Sequence, residues 1–271
     1  MPAIERVNKS MDTTVAKGMA VIEHLAQCEE PQSLHEMVEA LGYGKSNVHR
    51  LLRTYIELGY VRQEGPKGRY ALTTRLWEIG VKVVAQLDFP QIARPHLVRL
   101  SEETGETALL AIRDGLEVIY LDRIVSDQPI GIFNRIGRRV PAWCNATGRV
   151  ILAFQNADIA QFNDHLIAHT PHTITDPDLL SKEFERIRKQ HYALTLGEWH
   201  DGVYGLAAPV FDAHGQVTGS IGITGTIAHY QSQLQLNWPE RVITTAKAIS
   251  HELGFRRIGQ GELGRGDDLT I

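Results

Sequence analysis

The stretch from Gly44 to Leu72, GKSNVHRLLRTYIELGYVRQEGPKGRYAL, constrains the fold more than any other part of the chain. If it is helical from about Ser46 to Leu58, Val48, Leu51, Leu52, Tyr55 and Ile56 recur at i, i+3, i+4, i+7 and i+8 and make one buried stripe. Ser46, His49, Arg50 and Arg53 follow the same spacing in the opposite register, so a hydroxyl, an imidazole and two guanidinium groups share the solvent face. Gly59 ends the helix. Tyr60 to Gln63 and Arg69 to Leu72 then read as two short strands around a Gly65-Pro66-Lys67-Gly68 turn.

Such a helix face has the chemistry of a reader of the DNA major groove: Arg takes guanine edges or phosphates, and Ser and Asn hydrogen-bond to either. Lys45 and Asn47 flank the row, and Ser46 or Gly44 caps the helix start, which aims backbone amides and the positive dipole end at a phosphate. The hairpin is a wing carrying Arg62, Lys67 and Arg69 toward a neighbouring groove or backbone. A merely solvated helix mixes both signs of charge, but residues 43 to 75 hold seven Lys or Arg against Glu57 and Glu64. The whole chain is net −4, so the basic surface is local, which suits docking on specific sites and not general coating of nucleic acid.

Upstream, Val15, Met19, Ile22 and Leu25 or Ala26 form the stripe of a first helix from about Thr14 to Gln27. Ser33 with Glu36 three residues on is a capping box opening a second helix, which Gly42 ends. Residues 1 to 13 are expected to be flexible. Three helices and a hairpin over residues 14 to 72 make a winged helix-turn-helix. Residues 73 to 88 predict a linker helix with an apolar seam, Leu76, Ile79 or Gly80, Val83 and Leu87, stopped by Phe89-Pro90 and open to a dimer contact. The run from Ser33 to Gly80 with its KS-x-V-x-RLL and L-E-x-G-Y-V pattern resembles the DNA-reading domain of the IclR family of bacterial transcription regulators.

Beyond the linker, residues 89 to 256 predict a helix over Ile92 to Thr104, and a hairpin of Thr107 to Arg113 and Leu116 to Arg123 about Asp114-Gly115. A strand near Pro129 to Ile136 and helices over 145–154, 157–169 and 181–192 follow. Two strands, Gly205 to Asp212 and Gln216 to Thr224, precede a last helix over Trp238 to Leu253 and a loose tail from 257. Antiparallel strands with helices gathered around them define an α+β domain. RVPAWCNATGRVILAF and GEWHDGVYGLAAPVFDAHGQVTGSIGITG resemble the central and closing signatures of the IclR family, so the likeness runs from about residue 14 to 254. It implies a GAF-like effector-binding domain and dimers that pair into tetramers.

Asn145 to Gly148 leave backbone amides open at a helix start, and Gly205, Ala207, Gly222 and Thr224 leave volume on the last two strands. In the resembled family a small organic acid or aromatic compound binds there. Carried over by motif position, this implies Ala146 and Thr147 through their backbone, Gly222 and Thr224 from the last strand, and Glu198 or Asp201 from the loop. The sequence departs from the family pattern in three places: the loop GEWHDG is poor in acids, Trp143-Cys144 stands for the more usual His-Ala, and Gly222 lacks a polar side chain. Trp143, Trp199 and Tyr204 suit an aromatic or bulkier effector, or else simply fill a core.

His165, His169 and His172 lack a carboxylate or thiol partner at ligand spacing, so no metal and no cofactor is expected. Cys28 and Cys144 fall in different expected domains, which argues against a disulfide framework. No apolar run reaches ~18 residues and MPAIERVNKSMDTT has no signal core, so a cytoplasmic protein with no membrane partner is expected. The resulting expectation is a DNA-binding regulator, with repression the expected sign, that senses a small organic acid or aromatic metabolite for a catabolic operon. Two rivals stand beside it. One is an enzyme acting on a small carboxylate in the same cavity, although Ser220 sits in TGSIG and not in a nucleophile elbow. The other is a DNA binder indifferent to ligands.

Overall fold

The computed structural model describes residues 12–65, 68–84, 87–126, 136–162, 165–233 and 236–256. Residues 1–11 of the expected flexible N-terminus, the tip of the wing at Pro66-Lys67, most of the strand expected at Pro129 to Ile136, and the tail from 257 lie outside these residues, whereas Asp12 caps the first helix and Thr13 opens it. Two compact units result, Met1–Gln86 and Leu87–Ile271.

In the first unit, α1 (Thr13–Gln27) starts at Asp12, whose carboxylate accepts from the Thr14 and Val15 amides. The capping box of α2 (Leu34–Leu41) forms as read, with Ser33 and Glu36 each satisfying the other's backbone, and Gly42 closes the helix in the left-handed region at φ 67°. Gly44 caps α3 (Lys45–Glu57) without a side-chain bond. β1 (Val61–Glu64) and β2 (Arg69–Leu72) pair antiparallel from Val61–Leu72 to Glu64–Arg69. Val21, Ile22, Leu25, Met37, Val48, Leu51, Leu52, Val61 and Tyr70 form the core.

The phase of α1 differs from the expected stripe. Ile22 and Leu25 are buried as expected, but Val15 and Met19 are 64% and 50% exposed, and Gly18 and Val21 face inward in their place. Gly18 explains the rotation: the Tyr55 hydroxyl of α3 occupies the place where a Cβ at residue 18 would stand. The linker segment forms α4 (Arg75–Val84), and Trp77, Ile79, Val81 and Val83 are all exposed. Phe89-Pro90 does not stop that helix; both are buried in the first turn of α5 (Asp88–Thr104), where a proline needs no amide partner.

The second unit is built on one antiparallel sheet of six strands in the order β5-β4-β3-β8-β7-β6. Its strands are β3 (Thr107–Asp114), β4 (Glu117–Ile124), β5 (Arg139–Pro141), β6 (Ala193–Leu196), β7 (Val203–Phe211) and β8 (Val217–Thr226). Alternation along each strand divides the core in two. Leu109, Ala111, Val118, Tyr120 and Ala207 pack under α6 (Ala146–Phe154) and α7 (Pro177–Gln190). Ala108, Leu110, Tyr204, Leu206, Ala208, Ile221 and Ile223 pack on α5 and on α9 (Trp238–Glu252), near a short α8 (Ile227–Ser232).

Two helices depart from expectation. In the segment expected at 157–169 the described residues form a 3-10 turn, Ile159–Phe162, and residues 165–169 are not helical; Leu166 packs inward and Ile167 is 63% exposed. α7 begins four residues before the expected Ser181, since Asp176 caps it and Pro177 takes the first helical position. β6, unforeseen, pairs along β7 from Ala193–Ala207 to Leu196–Tyr204.

Candidate functional site

On α3, burial of Val48, Leu51 and Leu52 fixes the rotation of the helix and leaves Ser46, His49, Arg50 and Arg53 exposed on the other side, beside exposed Lys45 and half-buried Asn47. Arg53 lies 3.7 Å from Glu57 one turn on, an exposed contact worth little in water. The wing residues are more committed. Arg62 pairs with Glu64 on its own strand. Arg69, expected to contact DNA, donates at 2.7 Å to the Pro31 carbonyl and lies 3.4 Å from Glu36, so it ties the wing to the start of α2. That pairing, after the Ser33 bonds, helps hold the Glu36 carboxyl below its ordinary pKa. Lys67 lies outside the described residues.

In the second unit a cavity of about 40 Å³ lies on the α6 side of the sheet, space for roughly three waters. Its wall includes Leu109, Tyr120, Thr195, Gly205 and Thr224 from the strands, Asn145, Ala146 and Thr147 from the start of α6, and Trp199 and His200 from the loop before β7. Gly205 and Thr224 are direct cross-strand partners, which puts the absent side chain opposite the hydroxyl. Asn145 Oδ1 accepts from the Gly148 amide at 2.8 Å and from the Thr147 hydroxyl at 2.7 Å. The first helical bond runs from the Arg149 amide to the Asn145 carbonyl, so the amides of Ala146 and Thr147 are left without an intrahelical acceptor. Thr224 donates to the Tyr204 carbonyl at 2.7 Å, which leaves its oxygen lone pairs for a guest donor.

Ala146, Thr147 and Thr224 therefore sit together as expected, and Trp143, Glu198, Asp201 and Gly222 do not line the cavity. Trp143 is core, edge-on to Phe162 at 6.3 Å. Glu198 is buried in an ion pair with Arg149, where its Oε1 accepts at 2.8 Å. Asp201 accepts from the next residue's amide at 3.0 Å and shapes the turn. Gly222 has no free space beside it: a Cβ there would stand 2.9 Å from that of Ala207. Sequence reasoning placed Asn145 at the helix start and missed Leu109, Tyr120, Thr195 and His200, for which no local pattern gives a signal.

Burial lowers the pKa of His200, helped by Arg138 and then His169, and burial lowers that of His169 as well. Tyr120 and Cys144 are pushed up to about 12, chiefly by burial, so neither is an anionic group near neutral pH. Among the described residues no three His, Cys, Asp or Glu side chains gather as a metal site, and no helix is long and apolar enough to cross a membrane.

A basic-faced helix-turn-helix in one unit and an α+β sheet unit with a small hollow at the start of α6 are the parts of a DNA-binding transcriptional regulator. Residues 14–65 match the IclR helix-turn-helix domain and residues 81–251 the bacterial transcriptional regulator IclR C-terminal domain. The chain belongs to the IclR family. It is 30% identical over 250 residues to the HTH-type transcriptional regulator KipR of Bacillus subtilis (strain 168), covering 91% of this chain and 99% of that one. It is 31% identical over 261 residues to the DNA-binding transcriptional repressor YiaJ of Escherichia coli (strain K12), covering 93% and 92%. The crystal structure of Thermotoga maritima IclR matches with a TM-score of 0.74 at 29% identity, covering 89% and 99%. An IclR homologue from Microbacterium hydrocarbonoxydans complexed with 4-hydroxybenzoate shares the fold, with a TM-score of 0.77 at 21% identity over 89% and 99%. These relatives and both domains are those of regulators, not enzymes.

Proposed function

We propose that this regulator reads its operator with Ser46, His49, Arg50 and Arg53 and is controlled by a small organic acid held between the start of α6 and the Gly205–Thr224 pair. The observation that carries the reading is the pair of unpartnered amides at Ala146 and Thr147, at the positive end of a helix dipole and beside an apolar wall. That combination favours a carboxylate on a compact, flat body. Repression of a catabolic operon, relieved by the acid, is the reading that fits such an effector. The exposed Trp77, Ile79, Val81 and Val83 of α4 support assembly as a dimer or tetramer, and a two-fold dimer fits half-sites spaced by whole helical turns. Guest binding shifts DNA affinity by a coupling free energy of typically ~1 to 3 kcal/mol.

The test is operator binding, with the operator selected from random duplexes by the protein itself, titrated with 4-hydroxybenzoate and a panel of aliphatic acids. The bound 4-hydroxybenzoate of the Microbacterium hydrocarbonoxydans homologue makes that acid the first probe. A response in the wild type that Thr224→Val blunts, with its DNA affinity intact, supports the reading. A normal dose response in that variant places the sensor elsewhere.

A further inference from the structure

We propose that the Arg149–Glu198 ion pair is the positioning clamp of the cavity: Glu198 never touches the guest but holds Trp199 and His200 over it, and so sets the size of acid accepted. This rests on the effector reading of the cavity above.

Arg149 is 1% exposed although it lies in the first turns of α6, the helix whose start faces the cavity. Its Nη1 donates to Glu198 Oε1 at 2.8 Å, its Nη2 to Glu198 Oε2, and its Nε to the Trp143 carbonyl at 2.9 Å. A guanidinium used from three nitrogens has one orientation, and so has the carboxylate that faces it. Glu198 opens a short loop between Gly197 and Gly202, two glycines in the left-handed region at φ 71° and 73°. The loop's first residues are tied a second time, since Thr170 Oγ1 donates to the Gly197 carbonyl and Thr173 Oγ1 to the Glu198 carbonyl, each at 2.6 Å. Its end is held where the Ile227 amide donates to the Gly202 carbonyl at 2.8 Å. Between these ties lie Trp199, His200 and Asp201, and the first two are cavity wall. The His200 carbonyl accepts from the Val203 amide at 3.2 Å, and the Trp199 ring is edge-on to His169 at 4.3 Å.

The bidentate pair therefore carries a constraint from the floor of α6 to the roof of the cavity. Removing the charge at residue 198 leaves a desolvated guanidinium with one partner fewer, which favours loop positions that let water reach it. A looser roof costs a small guest its fit and gives a large one its room.

The experiment compares wild type with Glu198→Gln by amide hydrogen exchange and by binding of acetate and of 4-hydroxybenzoate. Exchange across residues 197–202 is expected to rise about tenfold, while the amides of β8 stay protected. The ratio of the two dissociation constants is expected to move about tenfold in favour of the larger acid. If Glu198→Gln does not fold, Arg149→Lys, which keeps the charge on one bond, is expected to move both readings the same way by about threefold. Unchanged exchange at 197–202 in a folded variant overturns the clamp, as does an equal loss of affinity for both acids. If Thr224→Val leaves binding of both acids unaltered, or neither acid binds wild type, the cavity reading has failed, and hydrogen exchange alone still decides the clamp.

Discussion

Gly205→Ala separates a cavity from a packing defect, because the contacts a methyl group would meet there are nearly tolerable. Gly205 lies mid-strand in β7, across from Thr224. An added Cβ would stand 3.1 Å from Thr195 Oγ1, 3.2 Å from the Ala146 Cβ and 3.7 Å from the Ala146 amide nitrogen. Contacts at 3.1 to 3.2 Å need a few tenths of an ångström of give, at the low end of the ~1 to 3 kcal/mol that overpacking costs. Replacing glycine within a strand returns roughly 0.5 to 1 kcal/mol of backbone entropy. The net change in stability is within about 1 kcal/mol, a shift in Tm of roughly 2 to 4 °C in either direction.

Binding should suffer far more. The methyl takes about one of the roughly three water-sized positions in the cavity and stands beside the amide that would hold a carboxylate. Losing a hydrogen bond to a charged group costs ~1.5 to 3 kcal/mol, or about 10- to 150-fold in Kd. Calorimetric titration with 4-hydroxybenzoate and a thermal melt on the same sample read both quantities. A Kd within about threefold of wild type refutes the placement of the carboxylate. A fall in Tm beyond about 10 °C refutes the packing estimate.

Gly148→Ala is the opposite case: its Cβ would lie 2.5 Å from the Ala142 carbonyl oxygen and 2.8 Å from its carbon, and backbone cannot move as a side chain can. Loss of several kcal/mol is expected, on the order of the largest single-substitution effects, and a melt within 3 °C of wild type contradicts it. Arg50→Ala should weaken operator binding by ~1 to 3 kcal/mol if the side chain reads a base, whereas Arg69→Ala, whose side chain is tied to Pro31 and Glu36, should change it less. Equal losses for the two variants in gel shifts refute the assignment of the reading face. The pKa of His169 is lowered by burial from 6.5, so the stability tied to its neutral form is present above pH 6.5 and lost as pH falls through its folded-state value. Melting temperatures taken from pH 7.5 down to 5.5 should drop more steeply for wild type than for His169→Gln, and parallel slopes count against it.

What could be read ahead of the coordinates was whatever is encoded over one or two turns. The two-sided spacing of α3, the Ser33–Glu36 box and the strand alternation that sets Gly205 and Thr224 on one face are local periodicities, and each appears as read. The inward face of α1 was misjudged because Gly18 matters only once Tyr55 approaches it, 37 positions away in the chain. Glu198 looked like a ligand for the same reason. Its partner Arg149 lies 49 residues earlier, and no spacing links a carboxylate to a guanidinium across that distance. Arg69 looked free until α2 came beside the wing through Pro31 and Glu36. Polar residues on a local pattern can be found in sequence, but whether a tertiary partner has already used them cannot.

If the effector sits at the start of α6 as proposed, the size of the hollow decides which kind of acid can act as a switch. A ligand shifts a conformational equilibrium only by the difference between its affinities for the two states. On that reading an acid small enough for a hollow of about 40 Å³ meets the Ala146 and Thr147 amides with Trp199 and His200 in place, fits the loop as it stands better than an opened one, and so drives no opening however tightly it is held. On the same reading a planar aromatic acid is too large for that hollow unless Trp199 or His200 moves, so its affinity would differ between the loop as it stands and an opened one by the work of that displacement. Potency and efficacy should therefore part company along a series of acids of rising size. Operator release should rise with the bulk behind the carboxylate even where Kd does not fall, and a series in which release tracks affinity alone would place the switch outside this loop.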